Sequence, residues 1–156
     1  MNATTELMPA GVYYVGDLCY VMENEWDEAC DLFFAGRTDH GCNEGKFTLA
    51  DGREFISFNT AYGDGTYHNA RSGAEIGVDA GLIGCIRLSD ITGHLSAEMA
   101  KTIARCGELI EFDSPFYCSK GSIEDGCPIR FGDEAVFFTA DNEEEEEEDF
   151  AYEDEE

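Results

Sequence analysis

Three aspartates in this chain stand in glycine-associated turns: Asp17 after Gly16, Asp64 between Gly63 and Gly65, and Asp79 just before Ala80-Gly81. Asp64 belongs to the stretch Thr60-Ala61-Tyr62-Gly63-Asp64-Gly65-Thr66-Tyr67, which sets one carboxylate between two tyrosines and is followed by His68. Glycine admits the positive φ values that tight turns need, and Asp hydrogen-bonds nearby backbone. If these turns converge at one end of a sheet, Asp17, Asp64 and Asp79 offer the oxygen ligands that Ca²⁺ and Mg²⁺ prefer. They can also pair with His68 as general acid and base. Tyr62 and Tyr67 would then border a ligand concavity. Ordinary hairpin corners use the same residues, and turn chemistry alone accounts for Gly-Asp-Gly.

Other reactive groups are harder to organise. No EF-hand spacing, Gly-x-Ser-x-Gly, P-loop or His-Glu-x-x-His is present. His40 and Cys42 are too few for a metal site without distant partners. No metal and no cofactor is therefore expected. Any of seven cysteines can be paired with His40, His68 or His94, and nothing selects a pair, so no catalytic residue is assigned.

The elements that must position these residues read as follows. Residues 1–10 look like a flexible leader. Gly11 to Met22 has the composition of a strand, with Gly16-Asp17 as an interior bulge or turn. Asn24 is a good N-cap, and Trp26, Cys30 and Phe33 fall at i, i+4 and i+7, which predicts a helix over 25–35 stopped by Gly36. Phe47 to Leu49 and Glu54 to Phe58 flank an Asp51-Gly52 hairpin turn. Ala74 to Val78 and Leu82 to Leu88 flank Asp79-Ala80-Gly81 and read as a second strand pair. Ser96 caps a second helix, which carries Met99, Ile103 and Cys106 on one face and ends at Gly107. Strands follow over Leu109 to Phe112, Phe116 to Cys118, Pro128 to Phe131 and Ala135 to Thr139. The expected fold class is α+β: a mainly antiparallel sheet with two packed helices over residues 11–139, then a disordered acidic tail over 140–156.

Charge is the strongest compositional signal. The formal net charge is −26 from 35 acids and nine bases. Residues 141–156 hold 12 acids and no base, which leaves the first 140 residues at −14. A body so acidic repels itself, and it repels nucleic-acid phosphates and anionic membranes. The sequence thus points away from direct nucleic-acid binding and from membranes, and toward a basic protein as partner, such as a nucleic-acid-binding protein. Within the tail, Glu143, Glu144, Glu145, Glu146, Glu147 and Glu148 form an unbroken run, and Phe150 and Tyr152 give it the look of a short interaction motif. No apolar run approaches the ~20 residues of a membrane span, and no secretory signal is evident. The cysteines are odd in number and lack any Cys-x-x-Cys, which suits reduced thiols in the cytoplasm.

The segments Gly11-Val12-Tyr13-Tyr14-Val15-Gly16-Asp17-Leu18-Cys19-Tyr20-Val21, Trp26 to Cys30, Thr60 to Tyr67 and Val78 to Gly84 carry a resemblance. They are similar to a family of small bacterial and bacteriophage proteins with a Gly-Asp-x-Cys-Tyr opening and a Tyr-Gly-Asp-Gly-Thr-Tyr turn. Leu18 stands where that family usually has Pro. The resemblance spans residues 11–90 and supplies no activity and no catalytic residues. It implies a viral or mobile-element origin, which would place the protein in a host cytoplasm, where small acidic proteins often antagonise host machinery. The reading that follows is an acidic, non-enzymatic interaction protein binding a basic partner, in its sharpest form a phage-type antagonist acting by nucleic-acid mimicry. The alternative is a small enzyme or ligand-binding domain built on Tyr62, Asp64, Tyr67, His68, Asp17 and Asp79.

Overall fold

In the computed structural model, residues 4–37 and 42–140 are described. The expectations for His40 and for the tail residues Glu143 to Glu148, Phe150 and Tyr152 lie outside them.

The chain is an α+β protein with a five-stranded antiparallel sheet at its centre. In order of pairing, this central sheet contains β3 (Gly45–Thr48), β4 (Glu54–Asn59), β7 (Leu82–Arg87), β2 (Gly11–Gly16) and β8 (Gly107–Phe112). Successive side chains of a strand point to opposite faces, and here both faces are buried. Tyr13, Val15, Ile56, Phe58, Ile83 and Cys85 face one core, whereas Tyr14, Phe55, Leu82 and Ile86 face another. Continuously buried runs such as Phe55-Ile56-Ser57-Phe58 follow from this two-sided burial.

The first core lies between the central sheet and two smaller ones. One has four strands, β1 (Thr4–Met8), β9 (Phe116–Lys120), β10 (Pro128–Phe131) and β11 (Ala135–Phe138); the other is the β5 (Gly65–His68)–β6 (Glu75–Val78) pair. Phe112 and Phe116 stack with ring centroids 3.7 Å apart, and Tyr13 packs edge-on against both. The second core is closed by α1 (Trp26–Phe34) and α2 (Ala97–Cys106), which supply Ala29, Phe33 and Ile103. Ser96 Oγ accepts from the Met99 N–H at 3.0 Å and caps α2 as its sequence predicts. Gly36, at φ 73°, ends α1.

Four expectations change. Thr4–Met8 is not a leader but an edge strand: each of its five residues has a partner on β9, and Met8 is buried. Leu18 to Met22 is not strand. After Gly16 the chain enters a 3-10 turn at Leu18–Tyr20, because Leu18, Val21 and Met22, spaced i, i+3 and i+4, drop into the helical core. Asn24 is not the cap of α1; it lies within a second 3-10 turn, Glu23–Glu25. Finally, β6 and β7 are consecutive but do not pair. β6 takes β5 as its neighbour, while β7 inserts between β2 and β4.

Candidate interaction surface and the aspartate junction

The three glycine-associated turns do converge. At the end of β2, Asp17 is fully buried and accepts three backbone N–H donors. Its Oδ1 takes the Cys19 N–H at 2.9 Å, and its Oδ2 takes those of Asp79 and Ala80 at 2.8 and 2.7 Å. One carboxylate therefore caps the 3-10 turn after β2 and fixes the turn between β6 and β7. Asp79 in turn accepts the Tyr20 hydroxyl at 2.6 Å. The Thr60 N–H donates to the Gly81 carbonyl at 2.9 Å, which brings the Asp64 turn against the Asp79 turn. Gly81 sits at φ 72°, and a Cβ there would lie 3.8 Å from Asp64 Oδ1.

The Thr60 turn is a corner that ties the sheets together. Thr60 Oγ1 bonds both the N–H and the carbonyl of Gly63, at 3.0 and 2.8 Å. Tyr62 and Ala61 donate their N–H groups to Thr139, just beyond β11. Tyr67 is buried and donates its hydroxyl to the Gly63 carbonyl at 2.7 Å. Tyr62 is instead exposed, so the two phenols stand in different environments. His68 ends β5 opposite Glu75. Asp17, Asp64 and Asp79 are thus neighbours, while Tyr62 and His68 stand apart from the Asp17 carboxylate's hydrogen bonds. Among the described residues no group of three or more His, Cys, Asp or Glu side chains is placed to hold a metal ion.

Protons are held tightly around this junction. Burial pushes the Tyr14 hydroxyl and the Cys19 thiol far above their ordinary values, and the Asp17 charge adds to both effects. Desolvation, followed by the hydrogen bond to Asp79, does the same to Tyr20. The Cys85 thiol, fully buried in the first core near Cys118, is raised by desolvation first and by that neighbour second. None of these groups is poised as a nucleophile, since a thiol must ionise to attack. All seven cysteines are free.

The remaining acids divide into two populations. Some do structural work. Glu25 is buried and meets Arg53 at 2.8 Å, and Arg53 also bonds Asp51, the Asp90 carbonyl and Thr92. Arg53 holds the Asp51 carboxyl below its ordinary value through their hydrogen bonds. Glu44 pairs with Lys120 at 2.5 Å, and Glu108 accepts from Asn69 at 3.0 Å.

The other population is exposed. Glu23, Asp27 and Asp31 stand at i, i+4 and i+8 along α1 and the turn before it, all on the surface. No base among the described residues pairs with them. Within α1, Asp27 and Asp31 are about 6 Å apart along the helix axis. Beside them, Phe34 is 52% exposed and Trp26 is half-buried against Phe33. The stripe's signal in the sequence is the four-residue spacing from Glu23 to Asp27 to Asp31.

A second exposed region lies on the outer side of the four-stranded sheet. Leu7 and Tyr117 face each other across β1 and β9, and Phe138 is exposed on β11. Beside them opens a groove of about 510 Å³ that contains Arg130 among Asp113, Asp133 and Glu134.

No helix among the described residues is long and apolar enough to cross a membrane. No family model matches this chain, and no curated protein or solved structure does either.

Proposed function

We propose that this protein is a non-enzymatic interaction protein that engages a basic partner through carboxylates, with the α1 stripe as the principal contact. The observation that carries this reading is the ladder of Glu23, Asp27 and Asp31, exposed and without an ion pair among the described residues. Like charges at i and i+4 weaken a helix by a few tenths of a kcal/mol per pair. The stripe therefore costs stability, and its repeating negative charge suits a groove that binds phosphates. In its sharpest form the reading is nucleic-acid mimicry directed at a nucleic-acid-binding protein, as a phage-type antagonist would use in a host cytoplasm. The tail acids Glu143 to Glu148, with Phe150 and Tyr152, extend the same chemistry. Asp17, the most deeply buried of the candidate ligand-binding residues, supports this choice by being committed to three N–H donors.

The test begins with a pull-down from bacterial lysate at two salt concentrations. Titration of the captured protein follows, with and without competitor duplex DNA. Screening over a Debye length of about 8 Å at physiological ionic strength should make affinity fall steeply with salt. Duplex should compete, and Asp27→Asn with Asp31→Asn should weaken binding. Salt-insensitive binding that ignores both substitutions would overturn the reading.

A further inference from the structure

The segment 91–107 runs against the acidity of the chain, holding Lys101 and Arg105 against Glu98 alone. It also lines an apolar groove. Leu88, Ala100, Ile103, Ala104 and Leu109 enclose about 390 Å³ on the flank of α2, and His94 is the one ionisable side chain in the lining. Lys101 and Arg105 follow Ala100 and Ala104 by one position each, about 100° around the helix. A basic stripe therefore runs beside the groove. Both bases are exposed, and neither has an ion pair among the described residues. Leu95, next to His94, is 89% exposed.

This combination calls for an occupant that is acidic and carries an aromatic or apolar anchor. The chain contains such a segment. We propose that residues 141–156 dock in cis on this face, with Phe150 or Tyr152 in the groove and the far end of the Glu143–Glu148 run against Lys101 and Arg105. The reach suffices. β11 packs beside β5, β5 pairs with β6, and β6 packs against α2. Two packing layers of about 10 Å and one strand spacing of about 5 Å put α2 roughly 25 Å from the end of β11. Ten residues separate Ala140 from Phe150, and an extended chain of that length spans about 33–36 Å. The docked tail would be withheld from any other basic surface, so a partner would have to displace it. That consequence rests on the function proposed above; the docking itself does not.

Carbodiimide coupling of the purified full-length chain, with no partner present, tests the docking directly, because it joins a lysine to a carboxylate in contact with it. The chain has three lysines. Lys46 and Lys120 already face Glu54 and Glu44, so their amides report an intact fold. Lys101 should couple to Glu143–Glu148 at least about fivefold more than either of the other lysines does, the factor expected of a weak specific contact. Arg105→Glu should cut that coupling several-fold, and so should Phe150→Ser combined with Tyr152→Ser, while the two control amides persist. Equal coupling of the tail to all three lysines would overturn the proposal, as would indifference to either variant. A mixture of isotopically light and heavy chains separates cis from trans, and coupling mainly between chains would also overturn it. Failure here leaves a salt-dependent partner untouched, and failure of the partner reading leaves this crosslink untouched.

Discussion

Asp17 and Asp31 are the same chemical group in opposite situations. Asp17 is fully buried and answered by three N–H donors that belong to two different turns. Asp31 is exposed, has an acidic neighbour one helical turn away at Asp27, and makes no ion pair among the described residues. In the buried region a carboxylate organises backbone, and its desolvation is offset by hydrogen bonds. On the stripe the carboxylate organises nothing within the fold and raises the energy of its own helix. Acids that stabilise a fold and acids that are available to a partner can therefore be separated by the donors around them, where composition alone counts them together.

The largest expected effect concerns pH, and it falls on the junction. Tyr14, Cys19 and Tyr20 surround Asp17 and Asp79, and each holds its proton above the ordinary value of 10.0 for tyrosine or 9.0 for cysteine. A group whose folded pKa is raised contributes stability below its unfolded pKa. Above that value the unfolded state loses the proton while the folded state keeps it, so stability falls as pH rises. Melting temperature should therefore hold to about pH 9 and then drop steadily, with Cys85 adding to the loss. A melting temperature unchanged between pH 8 and pH 11 would remove the junction's claim to be tightly desolvated.

Removal of the junction carboxylate comes next. Asp17→Ala leaves three N–H groups without their acceptor, a loss of about 3–5 kcal/mol. At roughly 2–4 °C per kcal/mol for a chain of this size, the melting temperature should fall by about 10 °C or more. Asp17→Asn keeps one acceptor oxygen and should cost about half as much. A drop no larger than that of Asp31→Asn would mean that the two acids are equivalent after all. Gly84→Ala probes the same region by crowding it. The added Cβ would sit 2.0 Å from the Ile56 carbonyl oxygen and 2.9 Å from Leu18 Cδ1. Backbone cannot yield as a side-chain end does, so a loss of about 2–3 kcal/mol is expected in chemical denaturation.

The difference between the regions also explains what the sequence made legible. Both helices, the Ser96 cap, the Gly36 and Gly107 stops and the Asp51-Gly52 hairpin are local signals, and each was readable in place. Thr4–Met8, Leu18–Tyr20 and the separation of β6 from β7 were not, because each depends on a distant partner. Thr4–Met8 is a strand only because β9, more than a hundred residues later, pairs with it. Leu18 to Met22 looks extended by composition, and only its i, i+3, i+4 burial shows a turn. The convergence of Asp17, Asp64 and Asp79 was readable as a condition, while the donors that occupy Asp17 lie 62 and 63 residues away as well as two. Asn69, buried and bonded to Glu108, Glu134, Arg71 and Val136, gave no sequence signal at all, since a lone Asn in a turn is ordinary.

The smallest effect is the one that divides stability from function on the stripe. Asp31→Lys removes one like-charge neighbour of Asp27 and sets an ammonium four residues after it, the favourable order for an ion pair on a helix. The new charge also lies in the second half of α1, near the negative end of the helix dipole. Each contribution is a few tenths of a kcal/mol, so the protein should gain about 0.5–1 kcal/mol and melt about 2–3 °C higher. Binding to a basic partner should move the other way, because a charge reversal replaces attraction with repulsion at the contact. The two measurements, a thermal melt and a binding titration at fixed salt, can be made on the same sample. A variant that is more stable and binds more weakly marks the stripe as a surface kept for a partner at the fold's expense. If stability falls, Asp31 has a structural donor and belongs with Asp17. If stability rises and binding is unchanged, the partner contact lies elsewhere, and the Arg130 groove and its surrounding acids become the surface to test.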